Sequence, residues 1–154
     1  MIWVVPVYSR DYLLFFSEIC NTTEKEIIIL SYLISTKEKI IQMILENLIR
    51  AKNRGVNIYM IVNGIFRNRE TKRNQSVIAE KFRKAGIKTI LNLRNSQDHR
   101  KIIIGDERKI LIGSHNLTEN SFYSAKELSL YIEDERLGKK LKEKIIEDYP
   151  VLFQ

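Results

Sequence analysis

The chain of 154 residues carries 26 Lys and Arg against 19 Asp and Glu, a formal net charge of +7. That length suits one domain, residues 1–154, with a sizeable core, and no stretch approaches the roughly 20 apolar residues of a membrane span. The N-terminal segment lacks the basic start and cleavage site of a signal peptide, and the single Cys20 excludes an internal disulfide and a thiolate metal site. The expectation is a cytoplasmic protein without membrane insertion whose partners are polyanions, nucleic acid first and anionic lipid second.

Residues 2–5 read as a short strand ending at Pro6, and 11–20 as a helix in which Cys20 is a packed thiol. The run 27–33 is apolar throughout and of strand length, which predicts burial on both faces. Ser35 and Glu38 fit a capping box. Ile40, Ile41, Ile44, Leu45, Leu48 and Ile49 then recur at helical spacing until Gly55. Residues 56–62 form the next strand, stopped by Asn63-Gly64. The polar, basic stretch 67–74 shows no apolar period and reads as a loop. A helix over 77–85 ends at Gly86, and 87–91 is a further strand. Residues 128–132 and 135–148 close the chain as a strand and a basic amphipathic helix. The alternation predicts an α/β domain with a central sheet covered by helices.

Chemistry concentrates between positions 98 and 127. His99 and Lys101 lie two apart in a β-branched segment, so on a strand both face one way and Arg100 the other. Residues 105–108 read as a turn and 109–112 as the returning strand. Ser114 and Asn116 repeat the two-residue spacing just beyond it. An imidazole, an ammonium, a hydroxyl and an amide presented together suit an anionic, oxygen-rich group such as a phosphodiester. Histidine can attack phosphorus or carry a proton near neutral pH. No acidic cluster stands ready to hold a metal, and no cofactor motif is present.

His99-x-Lys101-x-x-x-x-Asp106, followed by Gly113-Ser114-x-Asn116 and Glu127, resembles the HKD signature of the phospholipase D superfamily, above all its small single-motif endonucleases. The likeness extends to 27–32, 54–58 and 85–87, which fall in the order of the family's strands and helix ends. It implies the phospholipase D-like fold, a central mixed β-sheet flanked by helices on both sides. It also implies a metal-independent phosphodiesterase, a non-specific endonuclease cleaving DNA and/or RNA through a phosphohistidine. His99 would be the nucleophile or acid, with Lys101, Asn116 and Ser114 on the phosphate. Glu127 would accept a hydrogen bond from the imidazole, and Asp106 would act structurally. With one motif per chain, the resemblance implies a C2 homodimer whose two motifs meet at the interface.

Other side chains carry weaker signals. Arg67, Arg69 and Arg73, with Lys72, form a basic stretch that could flank the cleft together with Arg94 and touch the substrate backbone, although charged loops are ordinarily just solvated. Phe66 could stack on a base. Phe122 and Tyr123 read as core or interface, and His115, between Ser114 and Asn116, as incidental. Two other functions stand beside the nuclease: a phospholipase D-type lipid phosphodiesterase, and a catalytically silent nucleic-acid-binding module.

Overall fold

The computed structural model describes residues 2–154 and contains one seven-stranded sheet. In chain order the elements are β1 Trp3–Tyr8, α1 Tyr12–Thr22, β2 Glu26–Ser31, α2 Glu38–Asn53, β3 Asn57–Asn63, α3 Arg69–Lys84 and β4 Lys88–Asn92. The motif hairpin, β5 Ile102–Gly105 and β6 Lys109–Gly113, follows, then β7 Leu128–Glu133 and α4 Glu135–Asp148. The strands lie in the order β1-β7-β6-β5-β2-β3-β4. Strands β2, β3 and β4 are parallel, joined by α2 and α3, and the remaining pairings are antiparallel. The sheet is therefore mixed, as expected.

Strand alternation splits the apolar run in β2 between two cores. Ile27 and Ile29 pack with Phe16 and Ile19 of α1, Ile44 and Leu48 of α2, and Phe82 of α3. Ile28 and Leu30 face the other way, with Ile102, Ile104, Ile110 and, from α4, Ile145. A strand buried on both faces needs no polar alternation, which is why its sequence is continuous Ile and Leu. Three helices thus cover one face and α4 part of the other.

Four expectations are corrected. The first strand does not stop at Pro6 but runs through it to Tyr8. It lies at the sheet edge, where a residue whose N–H would point away from the neighbouring strand forgoes no ladder bond. The run at 27–33 is a strand only as far as Ser31. Ser35 and Glu38 do not form a capping box: Lys37 is the cap residue, the Ser35 hydroxyl accepts from Lys37 N–H at 3.1 Å, and Glu38 pairs with Lys81 at 2.9 Å. The basic stretch 67–74 is mostly helical. Asn68 caps α3 by accepting from Thr71 N–H at 3.0 Å. The inward-facing residue of its second turn is Gln75, which accepts from Ile34 N–H at 3.0 Å and donates to Ile34 C=O at 2.8 Å. A polar side chain here does the work of an apolar one, so hydrophobic periodicity does not reveal the turn.

The β5–β6 turn is held by Asp106. Asp106 and Glu107 have φ of 51° and 56°, the left-handed central pair of a tight turn closed by Arg108 N–H to Gly105 C=O at 3.1 Å. The Asp106 carboxylate accepts from the backbone N–H groups of Glu24 (2.9 Å), Lys25 (2.8 Å) and Glu26 (3.2 Å), pinning the hairpin to the start of β2. Burial pushes this carboxyl up, but the three N–H donors pull it further, and it ends below the usual carboxylate range. Asp106→Ala is expected to cost about 2 kcal/mol, because it orphans three donors that are only partly covered from water. Since the folded-state pKa is depressed, this contribution is present above the unfolded value near 4 and is lost as pH falls through the folded value. Urea unfolding of both proteins at pH 7 and again near pH 3 checks it. A gap that does not narrow in acid contradicts the assignment.

Candidate active site

His99 and Lys101 lie in extended chain just before β5, and the ladder continues one step beyond the strand through Gly113 N–H to Lys101 C=O at 3.4 Å. The two side chains share a face, as their spacing requires. Lys101 Nζ stands 3.0 Å from His99 Nδ1 and donates to His99 C=O at 2.8 Å. An ammonium can only donate, so in this arrangement Nδ1 accepts and the imidazole proton sits on Nε2. Nε2 has no hydrogen-bond partner among the described residues, and the ring is exposed. Beneath it lies Tyr32, just past β2, with ring centroids 4.2 Å apart, and Lys101 Nζ is 5.3 Å from the same ring. Burial lowers the pKa of Lys101, partly offset by the carboxylate of Glu127, so Glu127 lies in the field of this ammonium.

Arg100 points to the opposite side and fixes the segment. It donates from Nε and Nη2 to Asp98 at 2.8 and 2.7 Å and pairs with Asp148 of α4 at 2.9 Å. Asp98, 7% exposed, also accepts from Tyr149 Oη at 2.6 Å, while its N–H donates to the buried Asn63 Oδ1 at 3.0 Å. Burial raises the pKa of Asp98, but Arg100 and Tyr149 outweigh it and leave the carboxyl below its usual range. A doubly engaged guanidinium and a buried carboxylate are costly to displace, so the backbone presenting His99 is rigid.

The other motif residues are held by neighbours outside the motif. The Ser114 hydroxyl donates to Leu128 C=O at 3.2 Å and accepts from Leu128 N–H at 3.0 Å, closing the β6–β7 ladder. Gly113 permits that approach, since a Cβ there would stand 2.3 Å from Ser129 Cα. Ser121, on a π-turn over Asn120–Ser124, accepts from Asn116 N–H at 3.1 Å and donates to Glu127 Oε2 at 2.7 Å. Glu127 is thus anchored by Ser121, and no hydrogen bond joins it to His99 among the described residues. Asn116 Oδ1 is buried without a partner. Asp106 stands apart at the far end of β5, on the order of 20 Å from His99 by strand rise.

His115 is structural. It is 2% exposed, stacks on Tyr12 with centroids 4.4 Å apart, and its ring nitrogens bond Ser129 Oγ at 2.7 Å and Ser9 C=O at 2.9 Å. Burial holds its pKa below the ordinary histidine value. Of the basic residues, Arg67 is exposed ahead of α3, and Arg69 and Arg73 line a 330 Å³ pocket with Leu91 and Leu93. Arg94 lines an adjoining cleft of about 900 Å³ that shares Leu91 and Leu93 with that pocket and reaches His99. Among the described residues no three His, Cys, Asp or Glu side chains converge as a metal site, and no helix is long and apolar enough to cross a membrane. Sequence reasoning missed Tyr32, Asp98, Tyr149 and Ser121. Only Asp98, adjacent to the motif, offered a signal.

A mixed sheet presenting a paired imidazole and ammonium at its end defines a phospholipase D-like protein. The family described as "Cardiolipin synthase, PLD-like domain" matches residues 16–149, and the chain belongs to the phospholipase D-like family. Among solved structures it is similar to Nuc from Salmonella typhimurium, a phospholipase D family member, at 20% identity and TM-score 0.77, covering 94% of this chain and 91% of that one. NucT from Helicobacter pylori matches at 20% identity and TM-score 0.71, covering 94% and 93%. TrmBL2, an archaeal chromatin protein, matches at 18% identity and TM-score 0.60, covering 97% of this chain but 52% of that one. These likenesses establish the shared fold, and the family supports a phosphodiesterase in the broad sense. A search of curated proteins gave no match.

Proposed function

We propose that the protein is a metal-independent phosphodiesterase that cleaves nucleic acid through a phosphohistidine at the interface of a homodimer. The observation that carries this reading is the side-by-side placement of His99 and Lys101, with Nε2 free and facing solvent. Substrate phosphate draws Lys101 away from Nδ1. The imidazole proton then moves to Nδ1, where Glu127 accepts it as a hydrogen bond and leaves Nε2 nucleophilic. Nε2 attacks phosphorus, the P–O bond to the leaving alcohol breaks, and His99 of the partner subunit gives that oxygen its proton. Water then attacks the phosphohistidine, the partner's His99 takes the water's proton, and the P–N bond breaks. Lys101 and Asn116 from both subunits stabilise the charge on the phosphoryl oxygens.

Two further observations support the assembly and the substrate. Cross-strand neighbours Val4, Pro6 and Tyr8 of β1 and Leu128 and Leu130 of β7 form an exposed apolar sheet face beyond the reach of α4. That face adjoins the site through Leu128, which bonds Ser114 and follows Glu127. The net charge of +7 and the arginines around α3 suit a polyanion. Incubation with labelled DNA, RNA and phosphatidyl lipid vesicles in EDTA tests the reading. Strand scission is the expected result. Turnover of lipid alone makes it a lipid phosphodiesterase, and binding without turnover makes it a silent module.

A further inference from the structure

Past the reaction centre, one line of aromatic, apolar and basic side chains stays partly open to solvent. Tyr32 and Phe66 emerge from the C-terminal ends of neighbouring parallel strands β2 and β3. Their ring centroids are 5.3 Å apart, and Tyr32 is 4.2 Å from the imidazole. Both rings are half-buried, so part of each is open to solvent. Beyond Phe66 the chain enters α3. There Arg69, Lys72 and Arg73 rim the 330 Å³ pocket whose floor is Leu91 and Leu93 at the end of β4. Leu93 is 56% exposed, an apolar side chain left open among cations. From β5 to β4 is three strand spacings, about 14 Å.

A ligand made only of phosphates would need the cations and not the apolar surfaces. A duplex offers phosphates but keeps its base faces stacked within the helix. Unpaired bases supply both, because an aromatic face stacks on any base while basic side chains follow the backbone. We propose that this line is a binding track for single-stranded nucleic acid: one base on the Tyr32–Phe66 shelf, a following base on Leu91 and Leu93, and the intervening phosphates on Arg69, Lys72 and Arg73. It rests on the nucleic-acid reading above and narrows it to unpaired strands.

The test separates binding from cleavage. In a His99→Ala background, so that no strand is cut, fluorescence anisotropy compares labelled oligothymidylate and oligouridylate, each alone and in duplex, with an abasic strand of equal length. Either single strand is expected to bind about tenfold more tightly than its duplex or the abasic strand, the effect of one stacked base. Phe66→Leu, which keeps most of the side-chain volume, and Leu93→Ser, at an exposed position, should each weaken single-strand binding about fivefold or more. Neither should change abasic binding. Equal affinity for duplex or abasic strand, or no response to both substitutions, overturns the track. Hydrolysis by the unmutated protein is scored separately on a small chromogenic diester. Base-dependent binding without that hydrolysis overturns the reaction and keeps the track, whereas hydrolysis without base-dependent binding does the reverse.

Discussion

His99→Ala is expected to lower diester hydrolysis by about 10⁴-fold and to leave the fold intact. The size follows from the role: in the proposed scheme the imidazole attacks in one subunit and transfers protons in the other, so a single substitution removes both functions from the site. Losses of at least this order are what removing a member of a catalytic unit produces, about 10⁴- to 10⁶-fold. Stability should change by no more than about 1 kcal/mol, since the ring is exposed, hydrogen-bonded only to Lys101 and in contact with Tyr32. Lys101→Ala should cost less, about 10²- to 10³-fold, the range for one charge-stabilising donor. Added imidazole should restore part of the His99→Ala activity and none of the Lys101→Ala loss, because only the first leaves a gap of that shape and chemistry. The unmutated rate should be the same in EDTA. Hydrolysis that survives His99→Ala, or that disappears in EDTA and returns with Mg²⁺, would refute the mechanism.

How much of this site could be read from the chain depends on how local each interaction is. His99 and Lys101 are two residues apart, and strand geometry alone puts their side chains together. The β2 run was readable because burial on both faces leaves one composition, β-branched and aliphatic. Asp98 and Tyr149 were not, since the carboxylate and hydroxyl that fix the backbone under His99 are separated by 51 positions and meet only when α4 docks on the sheet. Tyr32 was hidden for a different reason. At the end of an apolar strand it looks like one more core residue, and only the neighbouring strand order shows it beneath the imidazole. In the first two turns of α3 the signal was absent, because Gln75 satisfies the Ile34 backbone where periodicity would place a hydrophobe, whereas the turns from Val77 onward were legible. Ser121 needed the π-turn to stand between Asn116 and Glu127.

The second large effect concerns assembly. In the proposed scheme one histidine cannot both attack phosphorus and protonate the oxygen departing on the far side of an in-line displacement, so a lone chain would hold half of the catalytic groups. Tyr8→Glu combined with Leu130→Glu places two carboxylates on the exposed apolar face, where Pro6 pairs with Leu130 and Tyr8 with Leu128. In a free monomer both charges stay in water at little cost. In a dimer covering that face each would be desolvated without a partner, at several kcal/mol, enough to dissociate it at micromolar concentration. The expected variant is a folded monomer by sedimentation and circular dichroism, with hydrolysis reduced at least about 100-fold, since each site loses its proton donor. Mixing gives an independent check on the same claim. If unmutated and His99→Ala chains are unfolded together in equal amounts and refolded, about one quarter of the dimers carry two intact histidines, because a two-fold pair draws each chain at random. Activity per total chain should then fall to about one quarter of the unmutated value and follow the square of the intact fraction at other ratios. Self-sufficient sites would instead follow that fraction linearly and retain about one half. A linear dependence, or full activity in the monomeric variant, would mean that each chain completes its own site.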